Sequence, residues 1–425
     1  MNIAQLYSIY TQYPSVQTDT RKLQQGDLFF ALKGDNFNGN RFAQQALDAG
    51  AAYAVIDEKE FATSERMILV EDVLITLQQL AKYHRQQFTI PFLAITGSNG
   101  KTTTKELVYT VLAATQTAYT TAGNLNNHIG VPLTILRVKK DAAIAIIEMG
   151  ANHQQEIAGY CTYTLPTHGI ITNAGKAHLE GFGSPEGVRK GKGELYDYLR
   201  ANNGTAFVMW DYDYLRDMSK GIPHTITYGT HDAAIIGEIE QAEPFLSVRI
   251  TKGPATGIIH TQLVGDYNLP NILAAVAVGH HFNVPAAAIK AAIEGYAPSN
   301  SRSQLIEKDT NKIILDAYNA NPSSMKAAIE NFSRLPEKNK VLMLGGMAEL
   351  GEASVQEHKN IVALIGQYQW QAVALVGGDF LRFEHPYKSF PDAATARVWF
   401  EQQHFSNTMM LIKGSRSMQM EKVLG

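Results

Sequence analysis

The chain has 425 residues, more than one hydrophobic core usually supports, so two or three domains are expected. Its 45% hydrophobic and 18% charged residues and its net charge of −3 are ordinary for a globular protein and exclude a strongly basic surface for nucleic acid. No apolar run approaches the ~20 residues that cross a bilayer, and Cys161, the single cysteine, allows no internal disulfide, so we expect a cytoplasmic protein without membrane insertion.

The predicted elements begin with a small α/β domain over residues 1–85. The apolar pattern predicts strands at Asp27–Leu32 and Ala51–Ile56, with a helix at Arg41–Ala49 between them. An amphipathic helical stretch over 76–87 leads into the next domain. This order is typical of a sheet whose strands are joined by helices.

The central part of the chain, residues 86–299, is predicted to form a mostly parallel sheet covered by helices on both faces. Strands and helices alternate up to about residue 200, a β-rich stretch follows, and an Ala-rich helix comes next. The predicted elements are a strand at Phe92–Ile95, a helix from Lys105, strands at Ala142–Ile147 and Ile170–Thr172, a β-rich stretch over 205–264 and a helix from Asn271.

The last part, residues 300–425, is predicted to be a second doubly wound, Rossmann-like unit. Turn-forming residues in Tyr296–Ser301 favour a domain boundary before it. Four predicted strands then alternate with helices: Lys312–Leu315, Lys340–Leu344, Ala372–Val376 and Thr408–Ile412. The whole chain is therefore expected to be an α/β protein of three domains.

A Gly-rich turn after the strand Phe92–Ile95 is the most informative motif. Its sequence, Thr96-Gly97-Ser98-Asn99-Gly100-Lys101-Thr102-Thr103, would aim backbone N–H groups and the positive end of a helix dipole at one point. Lys101 would then reach the terminal phosphates of a nucleotide, and the Thr102 hydroxyl would ligate the accompanying Mg²⁺. Only two residues separate Gly97 from Gly100, where the common pattern has four, so a turn that binds nothing is the alternative.

Polar side chains follow two further predicted strands of the central domain. In open α/β sheets, ligands bind beyond the carboxyl ends of the strands. Glu148 follows the strand Ala142–Ile147 and could hold Mg²⁺, although a surface carboxylate would look the same. His178 follows the next strand, and imidazole is an unusual Mg²⁺ ligand. Lys192 lies in Arg189–Glu194, which we expect to open a helix, and such a lysine cluster is usually a solvated face.

Several of these segments together resemble the Mur ligases, which are ATP-dependent, amide-forming enzymes of peptidoglycan synthesis. The segments are Thr96–Thr103, whose shortened loop is the form this family uses, Glu148–Gly150 and Asn173–Phe182. Thr18–Arg21 and Gly26–Gly34 resemble the UDP-sugar-binding N-terminal domain of the family. The segments similar to the members that add a D-alanine dipeptide are Gly123–Leu133, Asp316–Met325 and Leu344–Gly351.

The resemblance implies the reaction and its partners. A UDP-binding N-terminal domain, a central ATP-binding domain and a Rossmann-like C-terminal domain would join UDP-N-acetylmuramoyl-tripeptide to D-alanyl-D-alanine through an acyl phosphate. The cofactors would be ATP and Mg²⁺, with Lys192 carbamylated by CO₂, and the enzyme would be a monomer without nucleic-acid or membrane partners. Because the ATP loop and Arg302 lie in different domains, we expect the C-terminal domain to swing in and close the site.

The resemblance also assigns roles to individual residues. Those implied in catalysis are Lys101, Glu148, His178 and Lys192, and the implied metal ligands are Thr102, Glu148, His178 and Lys192. ATP would meet Thr96, Gly97, Ser98, Asn99, Gly100, Lys101, Thr102, Thr103, Asn268, Asn271, Arg302, Asp316 and Asn319. The other substrates would meet Thr18, Asp19, Arg21, Asn124, Asn126, Asn127, Lys413, Ser415 and Arg416. Asp266 and Tyr267 depart from the family pattern, since many relatives have a basic residue and a histidine there.

Three other interpretations stay open at this point. The first is another ligase of the same group, such as the tripeptide-forming member or a folylpolyglutamate synthase. The second is a P-loop kinase or switch NTPase, which the short loop and His178 disfavour. The third is a non-catalytic UDP-sugar-binding protein, which the intact Lys101, Thr102 and Glu148 disfavour.

Overall fold

The computed structural model of the protein describes residues 1–298 and 301–425, and its strands form three large sheets and one small hairpin. The boundary that we predict at residues 299–300 lies outside the described residues. No helix in the two described ranges is long and apolar enough to cross a membrane. The predicted α/β class is confirmed, because helices alternate with mostly parallel strands along the chain.

The N-terminal unit is a four-stranded parallel sheet with helices packed against it. Its helices are α1 (Ile3–Gln12), α2 (Ala43–Asp48) and α3 (Val73–Arg85), and its strands are β1 (Val16–Gln17), β2 (Leu28–Phe30), β3 (Lys33–Gly34), β4 (Phe37–Asn38), β5 (Tyr53–Ile56) and β6 (Met67–Leu69). The sheet order is β1-β2-β5-β6, and β3 pairs with β4 in the hairpin. Helix α3 begins before the predicted residue 76 because the Asp72 side chain accepts a hydrogen bond from the Ile75 N–H and caps it.

The central unit is a nine-stranded sheet with helices on its faces. Its strands are β7 (Phe92–Thr96), β8 (Ala118–Thr120), β9 (Ile144–Glu148), β10 (His168–Ile171), β11 (Thr205–Met209), β12 (His224–Gly229), β13 (Ile235–Gln241), β14 (Ser247–Lys252) and β15 (Ile258–His260). Its helices are α4 (Lys101–Ala113), α5 (Gly130–Leu136), α6 (Glu156–Thr164), α7 (Leu179–Phe182), α8 (Pro185–Ala201), α9 (Asp213–Ser219), α10 (Leu269–His281) and α11 (Ala286–Gly295).

The strand order of the central sheet positions the phosphate loop. The order is β15-β14-β13-β12-β11-β10-β7-β9-β8, so β7 lies between β9 and β10, and all five of its residues are buried. From β7 the chain passes to β8 and β9 on one side and then to β10 on the other. A crevice forms where the strand order reverses in this way, and the loop after β7 lies at that point.

The C-terminal unit is a six-stranded sheet in the order β16-β17-β21-β18-β19-β20. Its strands are β16 (Gln304–Lys308), β17 (Asn311–Asp316), β18 (Lys340–Gly345), β19 (Ala372–Val376), β20 (Lys388–Phe390) and β21 (Met409–Lys413), and its helices are α12 (Pro322–Arg334), α13 (Ser354–Ile365) and α14 (Ala393–Gln402). The four predicted strands correspond to β17, β18, β19 and β21. The short edge strands β16 and β20 were not predicted, because an edge strand needs no continuous apolar run.

The two outer units meet the central one differently. The N-terminal helices α1 and α3 share a hydrophobic core with the central sheet, and Arg85 donates to the carbonyl oxygens of Thr164 (3.0 Å) and Leu165 (3.1 Å). The C-terminal unit has cores on the two faces of its sheet. Among the described residues of the central unit, the only ones that join one of these cores are Leu179, Phe245 and Val264. Polar contacts join the C-terminal unit to the phosphate-loop region, among them Asn321 Nδ2 to Asn99 Oδ1 at 2.7 Å. The C-terminal junction is therefore the one that can open at lower cost in buried apolar area.

Candidate active site

A cavity of about 650 Å³ opens between the carboxyl ends of the central strands and the C-terminal unit. Binding pockets for small ligands commonly measure about 300–1,000 Å³. The predicted site residues that line it are Ser98, Asn99, Gly100, Lys101, Thr102, Thr103, Asn126, Asn127, Glu148, His178, Asn268, Asn271, Arg302, Asp316, Asn319 and Lys413. Tertiary structure thus brings together residues that lie more than 300 positions apart in the sequence.

The two glycines of the phosphate loop adopt backbone conformations that side chains disfavour. Gly97 has φ 143° and Gly100 has φ 78°. A Cβ atom on Gly97 would lie 2.0 Å from Thr172 Oγ1, and one on Gly100 would lie 2.6 Å from Asn271 Oδ1. The next strand end holds the turn, since Asn173 accepts from the N–H groups of Ser98 (2.9 Å) and Asn99 (3.0 Å). Contacts from neighbouring segments therefore hold the backbone of the loop in a tight turn.

Lys101 is the first residue of α4, four residues earlier than the predicted helix start at Lys105. The reason is that Gly100 occupies the helix N-cap in a left-handed conformation. The Lys101 ammonium donates to the carbonyl oxygens of Gly97 (2.7 Å) and Ser98 (3.3 Å) and so lies across the loop. Burial lowers the pKa of Lys101, and the nearby Glu148 carboxylate opposes this effect. An anionic phosphate in the loop would favour the charged form in the same way.

Glu148 is the last residue of β9, not the residue after it as predicted, and its side chain is buried. Its Oε1 atom accepts from Thr102 Oγ1 (3.1 Å) and from Asn126 Nδ2 (2.8 Å). Its Oε2 atom is buried and has no hydrogen-bond partner among the described residues. A buried carboxylate oxygen without a partner is costly unless a cation or a donor satisfies it.

The donors around Glu148 fit Mg²⁺, which prefers oxygen ligands and usually keeps several waters and substrate phosphates. The Thr102 hydroxyl and the Glu148 carboxylate are oxygen donors of this kind. Within residues 1–298 and 301–425, no three His, Cys, Asp or Glu side chains lie close enough to hold a metal by themselves. A metal at Glu148 would therefore need oxygen atoms from a nucleotide or from solvent.

Lys192 is fully buried, and it lies within α8 rather than at a helix start as predicted. The helix begins earlier because Ser184 caps it and Pro185 occupies its first position. The Lys192 ammonium donates to the Ala151 carbonyl oxygen (2.7 Å) and lies 4.9 Å from the centre of the Phe182 ring. Burial, followed by repulsion from Lys101, lowers the pKa of Lys192 well below its ordinary value. A lowered pKa favours the neutral, nucleophilic form of the amine.

Asparagines at the start of α10 connect this helix to α4, the helix that follows the phosphate loop. Asn271 accepts from Thr104 Oγ1 (3.0 Å) and donates to Asn268 Oδ1 (2.8 Å), and both asparagines are buried. Helix α10 begins at Leu269, two residues before the predicted Asn271. Tyr267, at the position that departs from the family pattern, lines the cavity and shares a hydrogen bond with Ser303 Oγ (3.1 Å).

The C-terminal unit contributes a buried ion pair to the opposite wall. Lys413, at the end of β21, lies 2.6 Å from Asp316 Oδ2 at the end of β17, because the two strands are parallel neighbours in register. The Arg302 guanidinium stacks over the Tyr318 ring at 3.5 Å. These groups face the phosphate loop across the cavity and supply positive charge on that side.

Other predicted residues do not line the cavity. Asp19 and Arg21 form an exposed ion pair (2.9 Å) in the N-terminal unit, beside Thr18. Arg416 pairs with Glu421 (3.2 Å), and the buried Ser415 hydroxyl accepts from the Ala348 N–H (2.9 Å). The remaining predicted residues that do not line it are Thr96, Gly97, Asn124 and Lys192.

Comparison with known proteins shows which family this chain belongs to. Three family models match the chain in succession: "Mur ligase family, catalytic domain" at residues 12–85, "Mur ligase middle domain" at 95–279, and "Mur ligase, glutamate ligase domain" at 301–416. The UDP-N-acetylmuramoyl-tripeptide–D-alanyl-D-alanine ligase of Bacillus subtilis is 34% identical, and the alignment covers 96% of this chain and 92% of that protein. The chain belongs to the Mur ligase family.

Solved Mur ligase structures have the same fold over almost the whole chain. A crystal structure of MurF from Acinetobacter baumannii matches with a TM-score of 0.87 and 30% identity, covering 96% of this chain and 92% of that one. The MurF ligase from Thermotoga maritima in complex with ADP matches with a TM-score of 0.85 and 27% identity, covering 96% of each chain. The fold prediction is thus confirmed, and ATP binding has support from a full-length relative.

The structure adds two residues to this Mur ligase site that sequence reasoning missed. Lys105, fully buried, donates to the Thr121 carbonyl oxygen (2.7 Å), and Thr121 Oγ1 in turn accepts from the Glu148 N–H (3.0 Å). A lysine one turn after Lys101 on a buried helix face was the available signal. Glu349, from the C-terminal unit, contacts Nδ1 of His178. Nothing local in the sequence indicates that second contact.

The buried His358 gives the Mur ligase a pH-dependent stability. Its Nε2 atom accepts from the Met347 N–H (3.0 Å) and its Nδ1 atom lies 2.7 Å from the Ser354 carbonyl oxygen, so only the neutral ring satisfies both. Burial lowers the pKa of His358. The unfolded chain then binds the proton more tightly, so the free energy of unfolding should fall as the pH drops below about 6.5 and stay level above it.

Denaturant unfolding between about pH 8 and pH 5 measures this effect. The variant His358→Gln lacks the titrating group and should lose less stability over the acidic half of that range. An identical pH slope for the two proteins would contradict the prediction.

Proposed function

We propose that this Mur ligase uses ATP to join D-alanyl-D-alanine to UDP-N-acetylmuramoyl-tripeptide, giving ADP, phosphate and the UDP-linked pentapeptide of peptidoglycan synthesis. One observation carries the type of reaction: the phosphate loop, Glu148 and the C-terminal Asp316–Lys413 pair line a single cavity. The choice of substrates is supported by a relative named for this reaction that matches nearly the whole chain.

The proposed chemistry has two steps. The terminal carboxylate of the tripeptide attacks the γ-phosphorus, ADP leaves, and an acyl phosphate forms. The dipeptide amine then attacks the acyl carbon, gives up a proton, and phosphate leaves. Both steps bring negative charges together, so electrostatic stabilisation by Lys101, Arg302 and Lys413 would be the main catalytic contribution.

We propose further that Thr102 holds one Mg²⁺ at the γ-phosphate and that Glu148 and His178 hold a second one, with a carbamate on Lys192 as an additional ligand. When bound, the metal ions would supply charge neutralisation at the phosphate oxygens. The buried, unpartnered Glu148 Oε2 atom supports the second site. The lowered pKa of Lys192 supports the carbamate, because a neutral amine can attack CO₂, forming an N–C bond and losing a proton.

The N-terminal and C-terminal domains also have roles in the proposed reaction. Thr18, Asp19 and Arg21 would meet the UDP end of the substrate, within a domain of residues 1–85 beside domains at 86–299 and 300–425. The C-terminal domain would swing to close the site. We expect a monomer by light scattering, acting in the cytoplasm, where ATP and UDP-linked precursors are made.

The test mixes protein, ATP, Mg²⁺, UDP-N-acetylmuramoyl-tripeptide and D-alanyl-D-alanine, and measures the product by mass. We expect the pentapeptide together with equal amounts of ADP and phosphate, and none when any component is left out. Replacing the dipeptide by glutamate or diaminopimelate should abolish product. Product with one of those amines alone would indicate another ligase of the group, and ADP without amide formation would indicate an NTPase.

A further inference from the structure

His178 lines the cavity and contacts a residue of the C-terminal unit. It precedes the four-residue helix α7 and has a left-handed backbone with φ 51°. Its Nδ1 atom contacts Oε2 of Glu349, and its side chain is 19% exposed. Glu349 belongs to the C-terminal unit, in the segment between β18 and α13, so this contact joins two domains at the cavity wall.

The segment that carries Glu349 is fixed by several independent hydrogen bonds. His358 Nε2 accepts from the Met347 N–H (3.0 Å), and Ser415 Oγ accepts from the Ala348 N–H (2.9 Å). The Glu349 carbonyl oxygen accepts from the Glu180 N–H across the domain junction (3.2 Å). Ser415, predicted from the sequence as a substrate ligand, thus supports this segment.

Glu349 also has a left-handed backbone, with φ 60°, a conformation that is unfavourable for a non-glycine residue. Such strain persists where the surrounding structure over-determines it, and it clusters at functional sites. The side chain of Glu349 is 51% exposed. A contact this exposed contributes little to the stability of the fold. Stabilisation of the fold therefore does not explain the arrangement, whereas orientation of His178 does.

The chemistry of a carboxylate at this position suits that role. A carboxylate at Nδ1 keeps the imidazole proton on that nitrogen and leaves the lone pair of Nε2 free. Carboxylates that orient a histidine in this way are common around metal and phosphate chemistry.

We infer that Glu349 is a positioning residue for His178: the C-terminal domain, when docked, fixes the ring with its proton on Nδ1 and leaves the Nε2 lone pair available to the proposed second Mg²⁺. This inference rests on the proposed function for what Nε2 does, but the orientation of the ring does not depend on the substrate. Docking of the C-terminal domain and completion of the catalytic site would then be one event.

The test uses the full-length protein with ¹⁵N-labelled histidine. The chain has 13 histidines, and the spectrum of His178→Gln assigns the His178 signals. In the wild-type protein we expect a protonated Nδ1 and an unprotonated Nε2 at His178. In Glu349→Ala the two signals should converge as the tautomers exchange, and Glu349→Gln should partly restore the difference, because its amide oxygen still accepts the proton.

Kinetics provide the second readout. Glu349→Ala should lower kcat by about 10–100-fold with the KM for ATP unchanged, since an orienting partner has been removed. Glu352→Ala, an exposed carboxylate in the same turn, is the matched control and should change neither readout. Wild-type His178 signals in Glu349→Ala would overturn the inference, whatever amine the enzyme uses. Failure of the proposed function would appear instead as absence of pentapeptide from the wild-type enzyme.

Discussion

Replacing Lys192 by alanine is expected to lower the ligation rate by about 100-fold or more, and added acetate should restore part of it. The reason is that Lys192 is buried, donates to the cavity-lining Ala151 and has a lowered pKa, which favours the neutral amine that can take up CO₂ and become an anion. A small carboxylate could occupy the space that the truncated side chain leaves. The measurement is phosphate release with all substrates present, with and without acetate.

Lys190→Ala is the matched control for this prediction, because Lys190 lies two residues away in α8 and is exposed. It should keep wild-type activity and show no response to acetate. Full activity of Lys192→Ala without a carboxylate would contradict the carbamate hypothesis. Inactivity that acetate cannot change, in a protein with an unaltered unfolding temperature, would also count against it.

Replacing Lys101 by methionine should lower kcat by about 100- to 1,000-fold, because it removes the cation that lies across the phosphate loop. Methionine preserves much of the apolar stem, so the fold should survive. In the proposed reaction the ammonium would stabilise charge that develops during phosphoryl transfer, and the loop N–H groups would still bind nucleotide in the variant. We therefore expect a larger effect on kcat than on ATP affinity, measured by turnover and by nucleotide titration.

Lys220→Met is the control, since that lysine is 78% exposed and does not line the cavity. It should leave turnover unchanged. A Lys101→Met enzyme that turns over ATP at nearly the wild-type rate would show that the loop lysine is not part of the catalytic machinery.

Much of the fold was predictable because it depends on short stretches of sequence. A continuous apolar run such as β7 is typical of a strand buried on both faces, and the strand, glycine turn and helix follow within about a dozen residues. Bounds shifted where a cap decided them, as at Gly100 for α4 and Ser184 for α8. Edge strands such as β20 escaped prediction because half of their backbone faces solvent.

The candidate site was predictable where it lies at strand ends. Glu148 ends a parallel strand of the central sheet, and Lys413 ends one of the C-terminal sheet. Within each sheet, the carboxyl ends of such strands meet at one edge. Asn126 was predicted to meet substrate, yet it also donates to Glu148, a partner 22 residues away. The partners of individual side chains were therefore less predictable than their general location.

The sequence by itself determined the tight Gly-rich turn between β7 and α4, because the positive φ angles at Gly97 and Gly100 are local requirements that glycine alone meets at little cost. Only the tertiary structure decided that Glu349 reaches His178 and that Lys105 supports Glu148 through Thr121. Those contacts join elements that are far apart in the chain, and their distances depend on how the sheets and domains pack.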